Sequence, residues 1–236
     1  VMAAKLGGSV SMVAKLGRDV FGENTLENFK AWNIDTSHVH FTGEAFSGVA
    51  PIAVDPDGNN SIIIVTGAND YLTEEEIEAA RPVIAESRIL ICQLEIPLPI
   101  TIHALRIARQ EGVPTIFNPA PARSDLPEEI YSLSDIFCPN ESETELLSGL
   151  PVTTVEEAEV AAKTLLSRGA GQVILTLGES GCLYVSADET KLFPGTRVRA
   201  VDTTGAGDAF VGSLAFFLAE GVSVPQAIER ANRIAA

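Results

Sequence analysis

Asp208 follows Gly205, Ala206 and Gly207 in the segment AVDTTGAGDAF, Ala200–Phe210. Apolar residues then recur at helical spacing, which predicts a helix over Gly205–Glu220 that buries Phe210, Leu214, Phe217 and Leu218 and stops at Gly221. The three small residues therefore fall on the first helical turn, where backbone N–H groups have no intrahelical acceptor. With almost no side chain in the way, an anion can approach those amides closely. A phosphoryl group in transfer needs such a hole. A carboxylate in the same turn can take the proton of an attacking hydroxyl, a contribution of roughly 100- to 10,000-fold in rate, with positioning supplying much of the remainder. The same residues also read as a glycine-rich turn with an acid favouring the positive end of a helix, and taken alone the segment leaves both readings open. It lacks the GK[ST] ending of a Walker loop, and no GxGxxG follows a strand elsewhere in the chain.

Other polar clusters recur at comparable places: Gln93–Glu95, Asn118, Asn140–Glu143 and Thr176–Gly181. Apolar, β-prone runs predict strands at Ile89–Leu94, Thr115–Asn118, Ile136–Cys138 and Val173–Thr176, with a further β-prone run at Arg197–Ala200. Helical spacing predicts helices between them, such as Ile100–Gln110 and Val155–Arg168. Thr73 and Glu76 have capping-box spacing, and so do Asn140 and Glu143. Alternating strands and helices imply an α/β fold, a mainly parallel sheet with helices on both faces. In such sheets ligands sit beyond the carboxyl ends of the strands, where each polar cluster is expected. Shorter segments over Gly181–Ala200 read as β-hairpins.

The region from Val39 to Thr66 differs. Val49, Ile52 and Val54 form one β-prone run and Ser61–Thr66 another, separated by the turn-rich Asp55–Asn60, which predicts a β-hairpin. Pro51 marks its first strand as an edge strand or a short break. Both ends of the chain read as cut: Val1–Gly7 resembles the final turns of a helix with nothing ahead to cap it, and Ala227–Ala236 is helical in spacing without a stop signal.

Of the 236 residues, 46% are hydrophobic and 20% charged, enough for a single large core. No apolar run reaches the roughly 20 residues that span a bilayer. The formal net charge of −16 argues against nucleic-acid and anionic-membrane partners. Three cysteines, Cys92, Cys138 and Cys182, sit in apolar runs without metal-ligand spacing, which predicts buried free thiols in a reducing compartment.

DTTGAGD resembles the signature of the ribokinase family of sugar kinases, and CQLEI, FNPAPA, NESE and TLGESG are similar to further segments of that family in matching order. The resemblance covers essentially the whole chain. It implies a ribokinase-like sheet plus a small partial β lid, with residues 1–35 and 70–236 as the core and 36–69 as the lid. It implies transfer of the ATP γ-phosphate to the 5-hydroxyl of D-ribose, with Asp208 as the base toward that hydroxyl and in contact with the sugar, and Gly205, Ala206 and Gly207 as the anion hole. Asp202 and Thr204 resemble ligands of an activating monovalent cation, normally K+. Glu95 resembles a sugar-contacting acid, although a strand-end carboxylate is also an ordinary surface group. Asn140 and Glu143 resemble a pair acting near Mg2+ and the ATP phosphates, a role compatible with the capping box. Thr176, Leu177, Gly178, Glu179, Ser180 and Gly181 resemble a loop lining those phosphates, with Gly207 also nucleotide-facing, and Asn232 resembles a nucleotide-contacting asparagine. His38, His40 and His103 match no motif.

Family members begin with a strand carrying a sugar-binding Asp and a GGKGAN-type segment, and neither is present here. The expectation is a kinase whose sugar pocket is partial and whose activity as this polypeptide is in doubt. A homodimer formed through the lid and a cytoplasmic location, with the nucleus also open, complete the implication. Another sugar or nucleoside kinase of the superfamily, and a non-catalytic nucleotide-binding isoform, remain as alternatives.

Overall fold

A computed structural model of the chain describes residues 1–54, 60–198 and 203–236. The first elements are helix α1 (Met2–Lys5), strand β1 (Ser11–Gly17), helix α2 (Val20–Ala31) and strand β2 (Asp35–Thr42). β1 and β2 pair in parallel, so this stretch is a βαβ unit that the residue pattern did not announce. The reason is visible in α2, where Gly22 is the one buried residue and no apolar stripe marks a helical period.

The expected hairpin follows as β3 (Ile52–Val54) and β4 (Asn60–Ile62), antiparallel and extended at its root by a bridge between Val49 and Val65. Residues 55–59 of its predicted turn lie outside the described residues.

The alternating part comprises α3 (Glu74–Ala79), α4 (Arg81–Glu86), β5 (Leu90–Cys92), α5 (Leu98–Glu111), β6 (Thr115–Phe117), α6 (Glu128–Ser132), β7 (Ile136–Phe137), α7 (Glu141–Ser148), α8 (Val155–Ser167) and β8 (Gln172–Thr176). It ends in β9 (Gly181–Val185), β10 (Thr190–Pro194), α9 (Ala206–Ala219) and α10 (Val224–Ala235). One six-stranded sheet has the order β10-β9-β8-β7-β6-β5, with β5 to β8 parallel and β9 and β10 antiparallel. Arg197 and Val198, expected to begin a strand, form none, and residues 199–202 lie outside the described residues.

Strand periodicity divides the core in two. Phe117, Phe137, Val173, Leu175, Leu183 and Val185 point to one face, where α5 and α8 supply Leu105, Ala108, Ala161 and Leu165. Their neighbours Ile116, Ile136, Ile174, Cys182 and Tyr184 point to the other face and meet Phe210, Val211, Leu214, Ala227 and Ile228 of α9 and α10. Each fully buried Leu, Ile or Phe contributes about 1.5–3 kcal/mol, so both helix layers are held chiefly by this apolar contact. Phe217 and Leu218, predicted as buried, are partly exposed at the rim of the second layer.

All three cysteines are free and buried. Burial pushes the thiols of Cys92 and Cys182 up to about 12 and raises that of Cys138, which also feels Cys182 and Glu143. An aromatic disulfide reagent is therefore expected to label none of them in the folded chain within minutes and all three after denaturation. Rapid labelling of a native thiol, read from absorbance and peptide mass, would contradict this burial.

Candidate active site

Helix α9 begins at Gly205, whose φ of +79° is the left-handed region that favours glycine. The Ala206 N–H donates to Thr203 O at 3.1 Å and the Ala209 N–H to Gly205 O at 2.8 Å. The amides of Gly207 and Asp208 lie between these two bonds, in the turn where a helix leaves its N–H groups without carbonyl partners. A Cβ built on Gly205 or Gly207 meets nothing within 4 Å, so the space over this turn is open. Asp208 is exposed on the same turn. Its helix is fixed from behind by buried Phe210, Val211 and Leu214. From the side, α1 crosses at Gly212, where a Cβ would sit 3.0 Å from Met2 Cβ.

Glu95 follows β5 at its carboxyl end. Its side chain reaches solvent, yet partial burial and then the charge of Asp208 push its carboxyl above the ordinary range. The structure thus brings together two acids 113 positions apart in sequence. Because the folded-state value of Glu95 is raised, its stabilising contribution is complete below the unfolded carboxylate range and is lost as pH rises through the folded value. Removing the Asp208 charge with Asp208→Asn should therefore lower the titration midpoint of the Glu95 carboxyl carbon in an NMR experiment. An unchanged midpoint would show that the two carboxylates do not interact.

The Asn140–Glu143 capping box forms as the spacing predicts. Asn140 Oδ1 accepts from the Glu143 N–H at 2.8 Å, and Glu143 Oε2 accepts from the Asn140 N–H at 2.8 Å. Glu143 Oε1 also accepts from Asn140 Nδ2 at 3.1 Å. Glu143 is only 5% exposed, and burial raises its carboxyl while the Asn140 amide opposes that rise. The cap lies directly against β8: Asn140 and Thr176 form a bridge, and the Thr176 N–H donates to Pro139 O at 2.9 Å. Next to it, Asn118 Nδ2 donates to Cys138 O at 2.8 Å, tying together the ends of β6 and β7.

The loop after β8 turns tightly. Leu177 N–H donates to Gly181 O at 2.8 Å, leaving Gly178, Glu179 and Ser180 exposed between them. Gly181, with φ +97°, is packed so closely that an added Cβ would lie 2.1 Å from Phe193 O. Asn232 lies on α10 and is partly buried. Its Nδ2 donates to Phe193 O at 3.4 Å, beside the pairing of β9 with β10. Thr204 occupies the exposed turn before α9, while Asp202 lies outside the described residues.

The residue pattern missed a second polar knot, in which Asp19 caps α2 and binds Ser47. A Gly-x-Asp-x-x-Gly spacing, Gly17 to Gly22, was its only local signal. Also unmarked was a cluster in which Lys15 pairs with Glu76 and His40 Nδ1 lies 3.7 Å from Glu76.

The model of the pfkB family carbohydrate kinases matches residues 1–236, the entire chain. The chain belongs to the pfkB family of carbohydrate kinases. Within that family, a ribokinase of Mus musculus is 47% identical over 240 residues, covering 100% of this chain and 74% of the relative. A deoxyribokinase of Salmonella typhi is 39% identical over 236 residues, covering 100% of this chain and 77% of the relative. Among solved pfkB-type structures, Arabidopsis thaliana ribokinase complexed with ribose and ATP superposes with a TM-score of 0.90 at 29% identity, covering 99% of this chain and 77% of that one. The α/β sheet and its helices are the fold of these kinases.

Proposed function

We propose that this chain is an ATP-dependent carbohydrate kinase that phosphorylates the 5-hydroxyl of D-ribose. The observation that supports it most directly is the open Gly205–Gly207 turn with Asp208 on it, close enough to Glu95 for its charge to act there. The sugar hydroxyl gives its proton to the Asp208 carboxylate as its oxygen bonds to the γ-phosphorus. The bond from that phosphorus to the β–γ bridging oxygen breaks, and ADP leaves with the electron pair. Backbone amides of this turn, Gly207 among them, hold the equatorial oxygens, a preorganised stabilisation of the transferring group. Glu95 is assigned to the sugar, and residues 176–181 with Asn140 and Glu143 to the nucleotide phosphates. The hairpin region, residues 36–69, is assigned to the acceptor side as a lid, and a homodimer through it is part of the same proposal. Exposed Phe46, Ile63, Ile64 and Val65 agree with a covered face there.

A chain of net charge −16 needs a counter-ion to hold a polyphosphate. Mg2+ keeps most of its waters and takes one or two carboxylates plus phosphate oxygens. The Glu143 carboxylate, fixed by Asn140 at the strand ends, fits an indirect, water-bridged role of this kind. When bound, the ion neutralises charge on the β- and γ-phosphates. K+ as activator rests on the resemblance of Asp202 and Thr204 alone, since oxygen ligands by themselves do not select it. A cytoplasmic location agrees with three free thiols.

The test is ADP release by the purified chain with Mg-ATP and D-ribose, repeated with 2-deoxyribose, fructose and adenosine in competition, and with K+ replaced by Na+. Ribose-dependent release supports the proposal and ranks the acceptors. Nucleotide-dependent thermal stabilisation without release from any acceptor would replace it with a binding-only protein.

A further inference from the structure

The hairpin β3–β4 leaves the body through two stalks, 46–49 and 65–68, that touch at three backbone bonds. Val49 and Val65 exchange N–H···O bonds of 3.0 and 2.9 Å, and the Ala68 N–H donates to Phe46 O at 2.7 Å. The stalks pass so closely that glycines are required. A Cβ on Gly67 would lie 2.4 Å from Phe46 O, and one on Gly48 would lie 2.7 Å from Thr66 O. Gly67 also has a φ of +52°.

One carboxylate fastens this crossing to the end of β1. Asp19 Oδ2 accepts from the Ser47 N–H at 2.6 Å, and Oδ1 accepts from Ser47 Oγ at 2.9 Å and from the Gly22 N–H at 2.8 Å. Ser47 Oγ in turn accepts from the Gly17 N–H at 3.0 Å, and Ser47 is only 4% exposed. Gly17 and Gly22 leave room for this knot: a Cβ on Gly17 would fall 2.4 Å from Ser47 N, and one on Gly22 would fall 2.8 Å from Ser47 Oγ. Three donors converge on one anion, and the hydroxyl that donates to it is itself satisfied. An amide in place of the carboxylate would turn an N–H2 toward at least one of these donors.

We propose that Asp19 and Ser47 are positioning residues that fix how the hairpin leaves the body and so set the affinity for the sugar acceptor, while leaving phosphoryl transfer to α9. The affinity half rests on the proposed placement of the hairpin at the acceptor side; the anchoring half rests on geometry alone. Asp19 touches neither substrate nor nucleotide in this scheme.

The test compares wild type, Asp19→Asn and Ser47→Ala by amide hydrogen exchange and by steady-state kinetics. Exchange of the Val49, Val65 and Ala68 amides is expected to rise about ten-fold or more in Asp19→Asn and less in Ser47→Ala, which keeps the Ser47 N–H bond. The KM for sugar should rise about ten-fold, with kcat and the KM for ATP within about two-fold, because the lost interaction acts on acceptor binding alone. Unchanged exchange at those three amides would overturn the anchor. Loss of kcat in proportion to unfolded protein, with sugar KM unmoved, would reduce it to a fold-stabilising contact and overturn the positioning role. If the wild-type chain phosphorylates no sugar, the kinase proposal fails by itself, and the exchange data still decide the anchor.

Discussion

Asp208→Asn is expected to lower kcat for sugar phosphorylation by about 100- to 10,000-fold, the range for removing a positioned general base. The substitution keeps size and shape, so the cause is the lost proton acceptor. Asp208 also favours the positive end of α9, but at an exposed helix start that is worth only about 0.3–1 kcal/mol. Thermal unfolding should therefore move by a few degrees at most. Nucleotide affinity, measured by calorimetry with Mg-ATP, should stay within a few-fold, since the 205–207 amides remain. Activity within ten-fold of wild type would remove Asp208 from the chemical step and return its motif to an ordinary acidic helix start.

Gly207→Ala separates folding from chemistry at the same turn. A Cβ at this position meets no protein atom within 4 Å, and an alanine inside a helix start is favoured over glycine by about 0.5–1 kcal/mol. If folding were the reason for glycine here, alanine would be at least as good. An added methyl instead occupies the space through which a phosphoryl oxygen would reach the amides. Turnover is expected to drop about 100- to 1,000-fold, comparable to losing one oxyanion donor, while the melting temperature holds or rises slightly. Gly205 is a poorer probe, because its φ of +79° would strain any replacement and mix the two effects. Full activity in Gly207→Ala would mean that no anion approaches this turn.

The parallel strands β5 to β8 and the helices around them were legible because each is a short, nearly continuous apolar run between turn residues, buried on both faces. Capping boxes at Thr73–Glu76 and Asn140–Glu143 were legible for a different reason: their chemistry is local, three residues apart, and the side chains that announce them also form them. The β1–α2–β2 unit was not legible, since α2 exposes most of its surface and offers no apolar period. Asp19 and Ser47 were beyond reach because their contact spans 28 positions and depends on the folded crossing of the stalks. At the candidate site, GAGD placed itself on α9, whereas the effect of the Asp208 charge on the Glu95 carboxyl depends on the fold across 113 positions of sequence. Asn232 was named only through the resemblance, and its contact with Phe193 O, 39 positions away, has no local signal in the sequence.

Helix α9 has two employers. Its first turn faces open space, and from Phe210 onward it forms part of one of the two apolar layers against the sheet. The aim of the proposed base Asp208 is consequently inherited from apolar contacts farther along the helix, at Phe210, Val211 and Leu214. A directed-evolution campaign seeking new acceptors would find little freedom along this helix, because loosening its seat blurs the aim for every substrate alike. Diversity is better sought in the hairpin, whose strands form a sheet of their own. Under the proposed function, the molecule separates what must stay constant from what can vary: an exposed turn seated on the core by α9, and a hairpin mounted outside it.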